Sequence, residues 1–184
     1  MKIQIVLISL LLLFISCSKK EESNVTFKYF DFTFSNTFET SFSVKFTPND
    51  SVYIREHWSG YDAFDSTKIP KSKTNYIALI SKKDKAKLLD LISKTQLKKY
   101  NESYQEDYSD GRYYTFYIDK DSIKKSIAIH SHKDDVPKDL DSLAKWIYTW
   151  KKKVRLIETN KKLTFFSSKS VLPPPPPPPL LKTK

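Results

Sequence analysis

Phe38-Glu39-Thr40-Ser41-Phe42-Ser43-Val44-Lys45-Phe46 is the stretch whose reading decides the fold. Phe38, Phe42, Val44 and Phe46 fall on one parity; Glu39, Ser41, Ser43 and Lys45 fall on the other. A period of two with apolar side chains on one side is the pattern of a strand buried on one face. Thr47-Pro48-Asn49-Asp50 follows, a turn in which proline presets φ and the Asx side chains satisfy local backbone groups. Residues 51–58 then return as the hairpin partner, so the sheet is antiparallel at this point.

Outward from that hairpin, residues 25–34 carry Phe27 and Tyr29 on one parity and Phe30, Phe32 and Phe34 on the other. Such a segment fits a strand covered at least partly on both faces. Residues 59–74 hold Gly60 and Pro70 among charges and read as a long loop, and residues 75–80 as a short strand. Ser81-Lys82-Lys83-Asp84 is a capping-box-like start, and a helix to about Ser93 presents Ala86, Leu88, Leu89, Leu91 and Ile92. Residues 112–118 and 122–132 read as a second hairpin, with Ile123, Ile127 and Ile129 pointing one way. Val136-Pro137 opens a second helix whose inner face is Leu140, Leu143, Ala144, Ile147, Trp150 or Lys151, and Val154. The expectation is an α+β domain over residues 25–160, an antiparallel sheet of about five to six strands with two helices packed on one face. Residues 161–184 have little pattern, and a poorly structured tail is expected there. Its seven prolines, Pro173–Pro179, would form a polyproline II rod of roughly 20 Å at 3.1 Å per residue. That rod reads as a spacer, a ligand for an aromatic groove, or an inert extension, with residues 180–184 as an out-of-frame tail after a slippage-prone repeat.

The first seventeen residues decide the compartment. Met1-Lys2 is a short basic start, and residues 3–15 are apolar apart from Gln4 and Ser9. A run of about thirteen residues is too short to cross a hydrocarbon core that needs roughly 20. The run therefore reads as the apolar region of a signal peptide, residues 1–16. It ends in Phe14-Ile15-Ser16-Cys17, and Cys17 is the one cysteine of the chain. This ending resembles the bacterial lipoprotein signal, with Phe14 in place of the usual leucine three residues before the cysteine. The resemblance implies cleavage before Cys17 and a covalent diacylglycerol and fatty acid, such as palmitate, on its sulfur. Acylation also disposes of a thiol that would have no disulfide partner. Residues 17–24 continue as Cys17-Ser18-Lys19-Lys20-Glu21-Glu22-Ser23-Asn24, a polar tether without apolar side chains after the cysteine. Ser18 resembles the residue that directs lipoproteins to an outer membrane, and Lys19-Lys20-Glu21-Glu22 resembles the surface-export signal of Bacteroidota lipoproteins. Together these features resemble the small lipoproteins of Bacteroidota. The resemblance implies a bacterial envelope location, on the periplasmic or the surface face of the outer membrane, and carries no catalytic residue.

Composition narrows the task. The 184 residues include only two glycines, Gly60 and Gly111, which excludes glycine-rich phosphate loops and dinucleotide fingerprints. Aromatic residues are 14% of the chain, which excludes a disordered chain. Lys and Arg number 32 against 21 Asp and Glu, and only Lys2 of these lies in the first sixteen residues, so the remainder carries +10. In an envelope, such a charge points to anionic headgroups or a solvated surface rather than to nucleic acid.

No catalytic motif is present: no G-x-S-x-G, no H-E-x-x-H, and no cysteine apart from Cys17. An enzyme is not expected, and neither is any cofactor beyond the lipid. Three sets of residues remain as candidates. His130 and His132 stand two apart on a strand, so both imidazoles project from one face as a rudimentary metal pair. Tyr100, Tyr104, Tyr108 and Tyr113 belong to a tyrosine-rich, acidic stretch; tyrosine gives large contact area at low entropy cost. Lys151, Lys152, Lys153 and Arg155 close the second helix, where cations complement the dipole. The expected function is an envelope-anchored binding or interaction module, monomeric, attached to the membrane by its lipid, with an envelope protein or glycan as partner. The alternative is an inhibitor or immunity-type protein against an envelope toxin or hydrolase.

Overall fold

A computed structural model describes residues 27–60, 67, 69–107, 111–120, 122–130 and 136–170. The expectations placed on residues 1–24 with Cys17, on Tyr108, on His132 and on residues 171–184 lie outside the described residues.

The expected hairpin forms from β2 (Thr40–Phe46) and β3 (Ser51–Ser59). β1 (Phe27–Asn36) pairs with β2 on one side and with β6 (Arg112–Lys120) on the other. β4 (Thr74–Leu79) continues the sheet beyond β3, and β7 (Ile123–His130) beyond β6. Two short strands close the edges: β5 (Ser103–Gln105), parallel to β7, and β8 (Ile157–Glu158), antiparallel to β4. The order is β5-β7-β6-β1-β2-β3-β4-β8. The sheet thus has eight strands where five to six were expected. The two additional ones are three and two residues long, too short for an alternating pattern to register.

Aromatic rows across the sheet explain why this register is chosen. Phe30 faces Phe46 and Ile118, Phe32 faces Val44 and Phe116, and Phe34 faces Phe42 and Tyr114. Phe30, Phe32, Phe42 and Phe116 are fully buried, and each such side chain contributes about 1.5–3 kcal/mol relative to exposure. A shift by one residue would exchange this row for Asp31, Thr33 and Ser35.

α1 (Lys82–Lys94) begins as the capping box predicts: the Asp84 N–H donates to the Ser81 hydroxyl at 3.1 Å. Leu88 and Ile92 are its buried residues. α2 (Lys138–Lys151) lies on the aromatic face of the sheet, with Trp146 and Trp150 against Phe46 and Tyr148 against Phe34 and Phe42. α1 packs beside it. Leu140, Leu143, Ala144 and Ile147 are buried, the helical period read from the sequence.

The opposite face of the sheet is polar and is covered by the chain after β8. Asp31 is fully buried, and its carboxylate accepts the N–H groups of Phe166 (2.6 Å) and Ser167 (3.0 Å). The Thr33 hydroxyl shares hydrogen bonds with Ser43 (2.6 Å) and Ser167 (2.7 Å), and the Tyr29 hydroxyl donates to the Thr164 carbonyl at 2.9 Å. The Phe166 ring packs against Tyr29 and Tyr117. Burial pushes the Asp31 carboxyl up, although its donors from Ser167 and Phe166 pull the other way. Residues 164–167, within a stretch expected to be poorly structured, are therefore held by partners more than a hundred residues away.

Candidate functional site

The turn after β1 builds one wall of a pocket. Asn36 accepts the Phe38 N–H on its side chain (3.0 Å) and the Glu39 N–H on its carbonyl (3.2 Å), which tightens residues 36–39. The Gly60 N–H, just after β3, donates to the Glu39 carbonyl at 2.8 Å. A Cβ on Gly60 would stand 3.0 Å from that oxygen, so glycine permits the approach. The end of β3 and the β1–β2 turn are thereby pressed together.

β3 supplies the floor. Val52 and Ile54 point to the aromatic face, and Glu56 follows on the same parity. Its carboxylate is wholly buried under the last turn of α2, where the Lys151 ammonium meets it at 2.7 Å. Thr40 donates to the other oxygen at 2.6 Å, and Lys151 lies 4.5 Å from the Phe42 ring centroid. A buried charge is tolerable only when paired and hydrogen-bonded, and Glu56 has both kinds of partner.

One residue further along the chain, Lys152 meets the Glu39 carboxylate at 2.7 Å, and the Tyr148 hydroxyl donates to its second oxygen at 2.7 Å. Burial pushes the Glu39 carboxyl up, but the bonds from Lys152 and Tyr148 outweigh it and hold the group below the usual carboxylate range. The bond to Glu39 pushes the Lys152 ammonium up. Burial, opposed by Lys152 and reinforced by Glu39, raises the Tyr148 hydroxyl. These groups line a cavity of about 260 Å³ whose remaining wall is Phe42, Ile69, Pro70, Val154 and Leu156. Ser59 also lines it; its hydroxyl is buried and has no partner among the described residues.

Of the expected basic cluster, Lys151 and Lys152 come together here. Lys153 lines a separate open groove of about 340 Å³ beside Trp146 and Trp150, and Arg155 is exposed. Among the described residues, the expected tyrosines Tyr100, Tyr104 and Tyr113 do not gather into one exposed patch. Tyr100 is buried; its hydroxyl accepts the Gln96 N–H at 2.6 Å and donates to Asp139. Burial, with Asp139, raises that hydroxyl. Tyr104, on β5, is buried and accepts the Asn101 N–H at 3.0 Å. Tyr113 lies on β6 with its ring 5.8 Å from that of His130 on β7. No group of three or more His, Cys, Asp and Glu residues converges as a metal site among the described residues.

Glu39, Glu56, Ser59 and Thr40 are the site residues that the sequence reading missed. Two signals were available. Glu56 is an acid on the apolar parity of β3, and Lys151 occupies an inner position of the second helix; each is costly to bury alone, so each calls for the other. Among the described residues no helix is long and apolar enough to cross a membrane. Neither a family model nor a curated protein sequence matches the chain.

Proposed function

We propose that the protein is an envelope lipoprotein, anchored through acyl chains on Cys17, whose single domain is a binding module working through the pocket at the end of α2. The observation that carries the binding role is the Glu56–Lys151 pair set in an open pocket beside the Ser59 hydroxyl, which has no partner among the described residues. Charges buried at this cost serve packing no better than apolar side chains of the same volume, whereas a ligand site needs fixed charges and a spare hydrogen-bonding group. A second reading, an inhibitor of an envelope toxin or hydrolase, is favoured by Phe38 and Ile69. They are 74% and 59% exposed, Ile69 in the pocket wall and Phe38 next to Glu39, as suits an apolar anchor on a protein partner.

Two measurements test this. Palmitate label should enter the full-length protein and disappear in Cys17→Ala; label that survives the substitution refutes the anchor. In an Ile69→Cys variant, maleimide modification should be several-fold slower in intact envelopes than after purification; equal rates in both settings refute an occupied pocket.

A further inference from the structure

We propose that this pocket takes a small zwitterion bearing an apolar substituent, a ligand of the amino-acid class. The inference deepens the binding reading above and rests on it.

Four ionised side chains line the cavity, two of each sign: Glu39, Glu56, Lys151 and Lys152. Each carboxylate already sits 2.7 Å from an ammonium. A ligand with one net charge would gain one partner and meet a like charge just as close. A wholly apolar ligand would strip water from Glu39 and Lys152 and return nothing to them. A zwitterion does neither. Its ammonium adds to a carboxylate and its carboxylate to an ammonium, so neither of its charges is left facing only its own sign.

The inner and outer pairs divide the work. Glu56 and Lys151 are 0% and 7% exposed and fixed by Thr40 and Phe42. Glu39 and Lys152 are 35% and 48% exposed, so this pair opens at little cost to receive a ligand's charges. The Ser59 hydroxyl can donate to a ligand carboxylate or accept from a ligand ammonium, and it is the one lining group with no protein partner among the described residues. The apolar wall then covers the substituent. Size agrees: about 260 Å³ lies below the roughly 300–1,000 Å³ of sites for drug-sized ligands.

The test uses the full chain extracted from membranes, titrated by calorimetry with L-leucine, L-phenylalanine, L-leucinamide and N-acetyl-L-leucine. The first two are zwitterions, the third a cation, the fourth an anion. At least one zwitterion should bind saturably, and leucinamide and N-acetylleucine at least tenfold more weakly. Ser59→Ala and Lys152→Met should each weaken the zwitterion severalfold while leaving the melting temperature within a few degrees. Absence of saturable binding by either zwitterion overturns the proposal, as does equal binding of cation, anion and zwitterion. Zwitterion affinity unchanged in both variants overturns it too, since the ligand then sits elsewhere. The maleimide comparison is independent of these titrations: an envelope-protected Ile69→Cys thiol with no zwitterion binding leaves the binding module standing and removes only this ligand class.

Discussion

Lys151→Met puts the central ion pair to the test. Methionine keeps an unbranched stem against Phe42 but removes the ammonium 2.7 Å from Glu56. Glu56, with no exposed surface, keeps the Thr40 hydroxyl at 2.6 Å but loses its ammonium partner. Stranding one member of a buried pair typically costs about 3–5 kcal/mol. A second route sets a ceiling on that loss: the carboxyl can take up a proton. From an ordinary glutamate value of about 4.3, neutralising it at pH 7 costs about 3.7 kcal/mol, and at pH 5 only about 1 kcal/mol. The loss should therefore be about 3–4 kcal/mol at pH 7 and shrink to about 1 kcal/mol at pH 5. Urea unfolding of wild type and variant at both pH values, followed by tryptophan fluorescence, measures it. A loss below about 1 kcal/mol at pH 7, or an equal loss at both pH values, would falsify the picture of a charge pair shielded from water.

Other outcomes follow from the same geometry. A chain ending at Leu163 loses both backbone donors to Asp31, each worth about 1.5–3 kcal/mol to a charged acceptor, whereas one ending at Ser170 should melt within about a degree of the full chain; thermal melts compare them. His57 is held down to about 4 by burial and by Arg55, so it is neutral when folded and takes a proton below about 6.5 when unfolded. Stability should thus fall as pH drops from about 6.5 to about 4, by up to about 3 kcal/mol, and His57→Gln should flatten that part of the pH–stability curve. Tyr100→Phe removes the bonds to Asp139 and the Gln96 N–H and should cost about 1–3 kcal/mol in denaturant, marking Tyr100 as a pin rather than a contact residue.

The sheet was legible from the alternation of Phe42, Val44 and Phe46 against Ser41, Ser43 and Lys45, and the helix through Leu140, Leu143 and Ile147 keeps a 3.6-residue period. The one-sided burial read from that alternation was wrong: Ser41 and Ser43 are buried as well, under the polar face's cover, and Phe38 is exposed in the turn ahead of β2. Even the two-sided apolarity of β1 was a true signal: Tyr29 is covered by Phe166 while Phe30 and Phe32 face α2's side. What covers Tyr29 was not legible. Residues 164–167 have no period, and they are held by backbone donors, which are alike in every sequence, reaching an aspartate 135 residues away. The pocket was half legible: the second helix put Lys151 among its inner candidates, but Glu56 passed as an ordinary strand residue. Pairing the two needs the register that sets β3 under the end of α2, and register over such a distance leaves no local trace. Tyr100 and Tyr104 mislead for the opposite reason. Their clustering in sequence is real, yet Tyr100 and Tyr104 turn inward because each hydroxyl finds a nearby backbone N–H to satisfy.

β1 has a mechanical consequence. A pull on the chain ahead of Phe27 arrives in the middle of the sheet, on a strand laced to β2 and β6 along both flanks. Drawing it out along its length strains both seams at once, and tears the hold of Asp31 on residues 166 and 167 as well. An outer strand would peel away one bond after another; this one yields only when many give way together. A force that enters through β1 is thus shared among both of its seams before any one of them can part.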